Sequence, residues 1–133
     1  MTPYQAEILV RFAHCDPAGI VFYPRYIEMI NNLVEDWCRD RDIPYADMHG
    51  GRRMGLPAAR LEVDFLASSR VGDILSASLA VRSIGASSLT LDIVFRGPDG
   101  ADRVRGSLVL VLVDAESKRP VPIPDDVRAN MAR

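Results

Sequence analysis

Within residues 11–38, one acid and one anion-ready stretch of backbone stand a few positions apart. Asp16 follows the end of an alternating segment, and Pro17 and Gly19 hold it in a turn. A short apolar run then leads to Tyr23-Pro24, where helical spacing begins. Proline suits the first helical position, because its missing N–H would have had no partner there. The first-turn N–H groups of a helix are unpaired within it and carry the positive end of its dipole. A carboxylate is already ionised at neutral pH, so it needs no second base to attack a carbonyl. Free N–H groups hold the oxyanion that such an attack creates. These are the parts of acyl transfer. The plainer reading is an Asp-Pro turn whose carboxylate bonds only its own backbone.

His14 lies two residues before Asp16. It reads either as a proton shuttle or substrate contact, or as a half-buried histidine at a strand end. His14, Cys15 and Asp16 are too close in sequence to converge on one ion, and there is no second ligand cluster, so no metal is expected. Cys15 reads as a small apolar residue beside the acid. With Cys38 it forms neither a disulfide framework nor a zinc spacing, which suits two free thiols in a reducing cytoplasm.

The elements that must position these residues follow from periodicity. Residues 4–12 alternate, with Ile8, Val10 and Phe12 on one face of a half-buried strand. From Pro24 to about Arg41 the period is helical. Ile27, Ile30, Val34, Trp37 and Cys38 make one stripe, which Met29 and Leu33 widen. So broad a stripe predicts a helix enclosed on more than one side. Residues 44–57 are irregular, with Gly50-Gly51, Arg52-Arg53 and Pro57. Four strands follow. The first sets Leu61, Val63 and Phe65 inward. The next two carry Leu75, Ala77, Leu79 and Val81, then Leu89, Leu91, Ile93 and Phe95, with a hairpin turn at Gly97-Pro98-Asp99-Gly100. The last, Val104 to Asp114, is apolar on both faces and so is expected to be central or at a subunit contact. Pro124-Asp125-Asp126 opens a short terminal helix. The order gives an α+β layout, a curled antiparallel sheet of about five strands around one long helix.

The bulk numbers fit one domain. The chain has 133 residues, 48% of them hydrophobic and 26% charged, enough for a real core. A net charge of −2 argues for neither nucleic acid nor an anionic membrane as partner. No signal segment or membrane-length apolar run is visible, so a cytoplasmic protein is expected.

The run from His14 through Tyr26, His-Cys-Asp-Pro-Ala-Gly-Ile-Val-Phe-Tyr-Pro-Arg-Tyr, resembles the signature of the 4-hydroxybenzoyl-CoA thioesterase family of hotdog-fold proteins. A weaker likeness covers Asp64 to Asp73. The resemblance implies a hotdog fold, a homodimer or dimer-of-dimers tetramer with sites at the subunit boundary, and no cofactor beyond the CoA of the substrate. It makes Asp16 the nucleophile or general base and sets the backbone N–H of Tyr23 on the thioester oxygen. Asn31 stands where the 4-hydroxybenzoyl enzymes carry an acid that meets the ring hydroxyl. Pro24 follows Tyr23 where a short-chain branch has histidine, which favours aromatic acyl groups. Tyr26, with Phe12, Phe22, Tyr23 and Trp37, could furnish an aromatic pocket.

The family's basic loop between the third and fourth strands reads Ser83 to Ser88 here. Phosphate binding would then rest on Arg82, Arg103, Arg105 or the Arg52-Arg53 pair, or on amides near Gly85. The reading is therefore an acyl-CoA thioesterase for an aromatic or small hydrophobic acid. Its rivals are an acyl-carrier-protein thioesterase and a non-catalytic acyl-CoA-binding scaffold. No Asp-x-x-x-x-His pairing supports a hydratase.

Overall fold

The computed structural model describes residues 2–43, 45 and 50–133. Its strands are β1 (Tyr4–Leu9), β2 (Met54–Gly55), β3 (Ala58–Phe65), β4 (Ile74–Ile84), β5 (Ser88–Arg96), β6 (Asp102–Val111) and β7 (Val113–Asp114). The helices are α1 (Tyr23–Asp40) and α2 (Asp125–Met131), and a 3-10 turn spans Phe12–His14. Five strands form one antiparallel sheet in the order β1-β4-β5-β6-β3, and β2 pairs with β7.

Alternation decides which face is buried. Leu75, Ala77 and Leu79 of β4, Leu89, Leu91, Ile93 and Phe95 of β5, and Val104, Leu108 and Leu110 of β6 all point into the core, as their spacing predicts. Onto this face α1 lays Tyr26, Met29, Ile30, Leu33, Val34, Trp37 and Cys38. Gly106 lets the helix come close: a Cβ there would stand 3.3 Å from Glu62 O and 3.8 Å from Ile30 Cδ1. Truncating one of the fully buried leucines to alanine would cost about 2–5 kcal/mol, since such a core cannot collapse to fill the gap.

Several expectations are corrected. β1 stops at Leu9 rather than running to Phe12. Val10 leaves the ladder, its N–H donating to Asp73 O at 2.8 Å and its carbonyl accepting from Gly72 at 2.9 Å. Phe12, expected on the inner face, is 83% exposed. The last apolar run breaks into β6 and β7, because the Leu112 N–H turns to Ser87 O. β6 itself lies inside the sheet, between β5 and β3. β3 is an edge strand, so Leu61 and Phe65, expected inward, stay substantially exposed. α1 is buried along one stripe and not enclosed: Ile27 is only partly covered and Asn31 is exposed. The irregular segment expected over 44–57 falls in part on residues 44 and 46–49, outside the described residues. Among the described residues no helix is long and apolar enough to cross a membrane.

Candidate active site

The segment from His14 to Phe22 folds back on itself. The Phe22 N–H donates to His14 O at 2.9 Å, Cys15 and Val21 form a bridge, and the Asp16 N–H donates to Ile20 O at 3.0 Å. The reversal at its tip needs Gly19, whose φ of +79° is a region that L side chains rarely adopt. Phe22 is the N-cap residue of α1, with no side chain capping the helix. The same hydrogen bond that closes the loop therefore fixes it to the start of the helix.

At the tip, Asp16 makes the expected turn with one oxygen only. Its Oδ1 accepts from the Ala18 N–H at 2.9 Å, while Oδ2 has no hydrogen-bond partner among the described residues. At the helix start, the Tyr23 N–H donates to no described backbone or side-chain acceptor, and Pro24 has no N–H to offer. So the loop keeps one carboxylate oxygen and one helix-end donor unspent.

A second loop supports the first. The Val21 N–H donates to Ser69 O at 2.9 Å, and Ile20 bridges to Arg70. Ser69 is fully buried. Arg103 pins this support, donating to Ser68 O at 2.6 Å and to Ser69 Oγ and Asp73 Oδ2 at 3.3 Å. Where the two loops meet α1, an open depression of about 310 Å³ is lined by Ile20, Val21, Tyr23, Tyr26 and the Phe65–Ser68 run. Asp16 is not itself among the lining residues; its loop contributes Ile20 and Val21. Aromatic rings form a chain along it, with Phe22 against Tyr23 at 5.5 Å, Tyr23 against Phe65 at 6.0 Å and Tyr26 against Phe65 at 5.8 Å. An apolar groove of similar volume, about 310 Å³, runs between α1 and β3 past Ile27, Ile30, Val34, Leu61 and Leu108. Asn31 stands in its lining, donating through Nδ2 to Glu35 at 2.6 Å.

His14 is turned away from Asp16 in its bonding. Its Nδ1 accepts from the Arg11 N–H at 2.8 Å, so the neutral ring carries its proton on Nε2. Burial, and then the charges of Arg11 and Arg25, hold its pKa below the ordinary value and keep it neutral. It lines a different cleft, between β1 and α1, with Glu7, Asn32 and Asp36. Of the arginines singled out for phosphate, all but the exposed Arg53 are engaged. Arg82 pairs with Asp92, and Arg105 bonds Asp102 at 2.6 Å, both beside a hollow lined by Glu62, Asp64 and Ser107. The Arg103 side chain is only 13% exposed. Arg52 bonds Asp126 at 2.8 Å. By contrast Arg70, on the supporting loop, is in no ion pair among the described residues; nor is Arg11, which lines the same β1–α1 cleft as His14. Sequence reasoning passed over both. The signal for Arg70 was its place in the 64–73 segment, next to the chemistry only once the loops fold together.

Architecture and sequence converge on one class. A solved 1,4-dihydroxy-2-naphthoyl-CoA thioesterase from Synechocystis superposes with a TM-score of 0.92 at 19% identity, covering 98% of this chain and 96% of that one. A gentisyl-coenzyme A thioesterase structure gives a TM-score of 0.83 at 23% identity, over 98% of this chain and all of the other. In sequence, a 1,4-dihydroxy-2-naphthoyl-CoA hydrolase of Synechocystis sp. is 23% identical over 127 residues, 93% of this chain and 92% of the relative. The fold is therefore the hotdog fold of the thioester hydrolases. The profile of the thioesterase-like superfamily matches residues 10–131, and the chain belongs to that superfamily.

Proposed function

We propose that the protein hydrolyses an aromatic acyl-CoA thioester to the free acid and CoA. Asp16 serves as the attacking or water-activating carboxylate, and the Tyr23 N–H receives the oxyanion. The observation that carries this reading is the free Oδ2 of Asp16 on a loop bonded to a helix start whose first N–H is also unspent. The acyl names of the relatives, 1,4-dihydroxy-2-naphthoyl and gentisyl, share a pattern: one ring hydroxyl beside the carbonyl carbon and a second para to it. A ring of that kind suits the aromatic wall of Tyr23, Tyr26 and Phe65. In the separate groove between α1 and β3, Asn31 turns its amide NH2 to Glu35 and keeps its carbonyl oxygen for a ring hydroxyl that reaches that groove. Arg70, whose loop bridges to Ile20 and which is in no ion pair among the described residues, is the arginine proposed to meet the CoA phosphates. The uncovered edge of β3 suits pairing with β3 of a second copy, giving a dimer or a dimer of dimers. Cys15 and Cys38 remain free thiols, in keeping with a cytoplasmic enzyme.

The test is release of free thiol from a panel of aromatic and aliphatic CoA esters, wild type beside Asp16→Asn. Turnover of aromatic esters by the wild type alone supports the proposal. Equal turnover by both proteins would overturn the role of Asp16, and no turnover of any ester would remove the hydrolytic reading.

A further inference from the structure

One polar group beside the depression is left without a partner. Tyr26 is 4% exposed, and its hydroxyl is buried with no hydrogen bond among the described residues. Buried hydroxyls are nearly always satisfied, because leaving one unmet costs more than a made hydrogen bond returns. A core position with no polar duty would carry phenylalanine, as Phe95 does at 6.5 Å from the Tyr26 ring. The hydroxyl therefore calls for a partner that the described residues do not supply.

Its surroundings say what kind. Tyr26 sits three residues after Tyr23, so the two share a helix face. Helical side chains lean back toward the N-terminus, which carries the Tyr26 ring toward the first turn and its unspent N–H. Both residues line the same depression. The ring packed on Tyr26 is Phe65, the last residue of an edge strand and itself 47% exposed. Phe65 is thus the exposed neighbour whose rotation would bring the hydroxyl to an entering group.

We infer that the Tyr26 hydroxyl is a substrate contact, donating a hydrogen bond to an oxygen of the acyl group bound at the start of α1. The inference rests on the thioesterase reading above and adds a specificity-determining residue to it. The oxygen is either the thioester carbonyl or a ring hydroxyl next to it, and substrate choice separates the two.

The experiment compares wild type and Tyr26→Phe on benzoyl-CoA and 2-hydroxybenzoyl-CoA, with thermal unfolding of both proteins. The substitution removes one oxygen and no volume of consequence. The expected result is a loss of about tenfold in kcat/KM, together with a Tm that is unchanged or higher. An equal loss on both esters assigns the carbonyl, and a loss confined to the hydroxylated ester assigns the ring oxygen. Unaltered kinetics on both esters would overturn the inference, and so would a lowered Tm, which marks a structural partner instead. Either failure is distinct from failure of the thioesterase reading, in which the wild type itself releases no thiol.

Discussion

The two ends of α1 are built on opposite plans. At its C-terminal end the polar groups are almost all spent. Tyr4 donates to Asp40 at 2.5 Å, Arg39 bonds Asp36 and Asp40, and Arg41 donates to Thr2 O. Arg133 bonds Arg41 O and Asp42, while Asn130 reaches Asp42 O. Arg41 Nε is an exception: it is buried with no partner among the described residues, in a guanidinium that lies over the Tyr4 ring. At the N-terminal end there is no side-chain cap, Tyr23 is 62% exposed, and Asp16 Oδ2, the Tyr23 N–H and the Tyr26 hydroxyl have no partner among the described residues. A helix end left open forgoes stability that a single capping side chain would supply, about 1 kcal/mol. The contrast separates the end that holds the fold from the end that meets a ligand.

That division can be broken in four ways. The largest effect is expected from Asp16→Asn, which should lower kcat by at least about a thousandfold while leaving Tm in place. A matching fall in Tm would show that the open end is structural after all. Next, Leu61→Arg puts a charge on the exposed edge of β3. Sedimentation should then report monomer, with thiol release lost alongside if a second copy completes the site. Wild-type mass and activity in this variant would mean that the edge is not an interface. At the closed end, Tyr4→Phe should lower Tm by a few degrees and leave kcat/KM unchanged. The smallest effect concerns His14, whose pKa is held below its ordinary 6.5. Its neutral form contributes fully above that value, and the contribution is lost as pH falls through 6.5 toward the lowered folded-state pKa. Tm should therefore decline more gently with acid in His14→Gln, where an amide oxygen replaces Nδ1 as acceptor for the Arg11 N–H.

Much of this was legible in the chain. Alternation at Leu75 to Leu79 and Leu89 to Phe95, and helical spacing from Pro24, gave the right elements because burial on one face leaves a strict period. The Asp16 turn and the proline at the helix start were legible because each depends on neighbours in sequence. What escaped was set by residues far apart. Phe12 was placed inward because nothing local announces that Val10 bonds to Gly72 and Asp73. Leu61 and Phe65 carry an inward pattern, yet whether a strand lies at an edge is a property of sheet order. Arg70 looks like any surface charge until its loop bridges to Ile20. The unmet Tyr26 hydroxyl is likewise invisible without the packing around it.

The grip of Arg103 on Ser68, Ser69 and Asp73 has a consequence for how this protein can vary. Its strand delivers a rigid post to the wall of the cleft, and the loop bearing the acid leans on that wall through Val21 and Ile20. The reactive corner thus borrows its stiffness from the sheet. Changes in the tight bend at Gly97 to Gly100, where Asp99 also touches the same arginine, should travel to Asp16 without altering a single group that handles substrate.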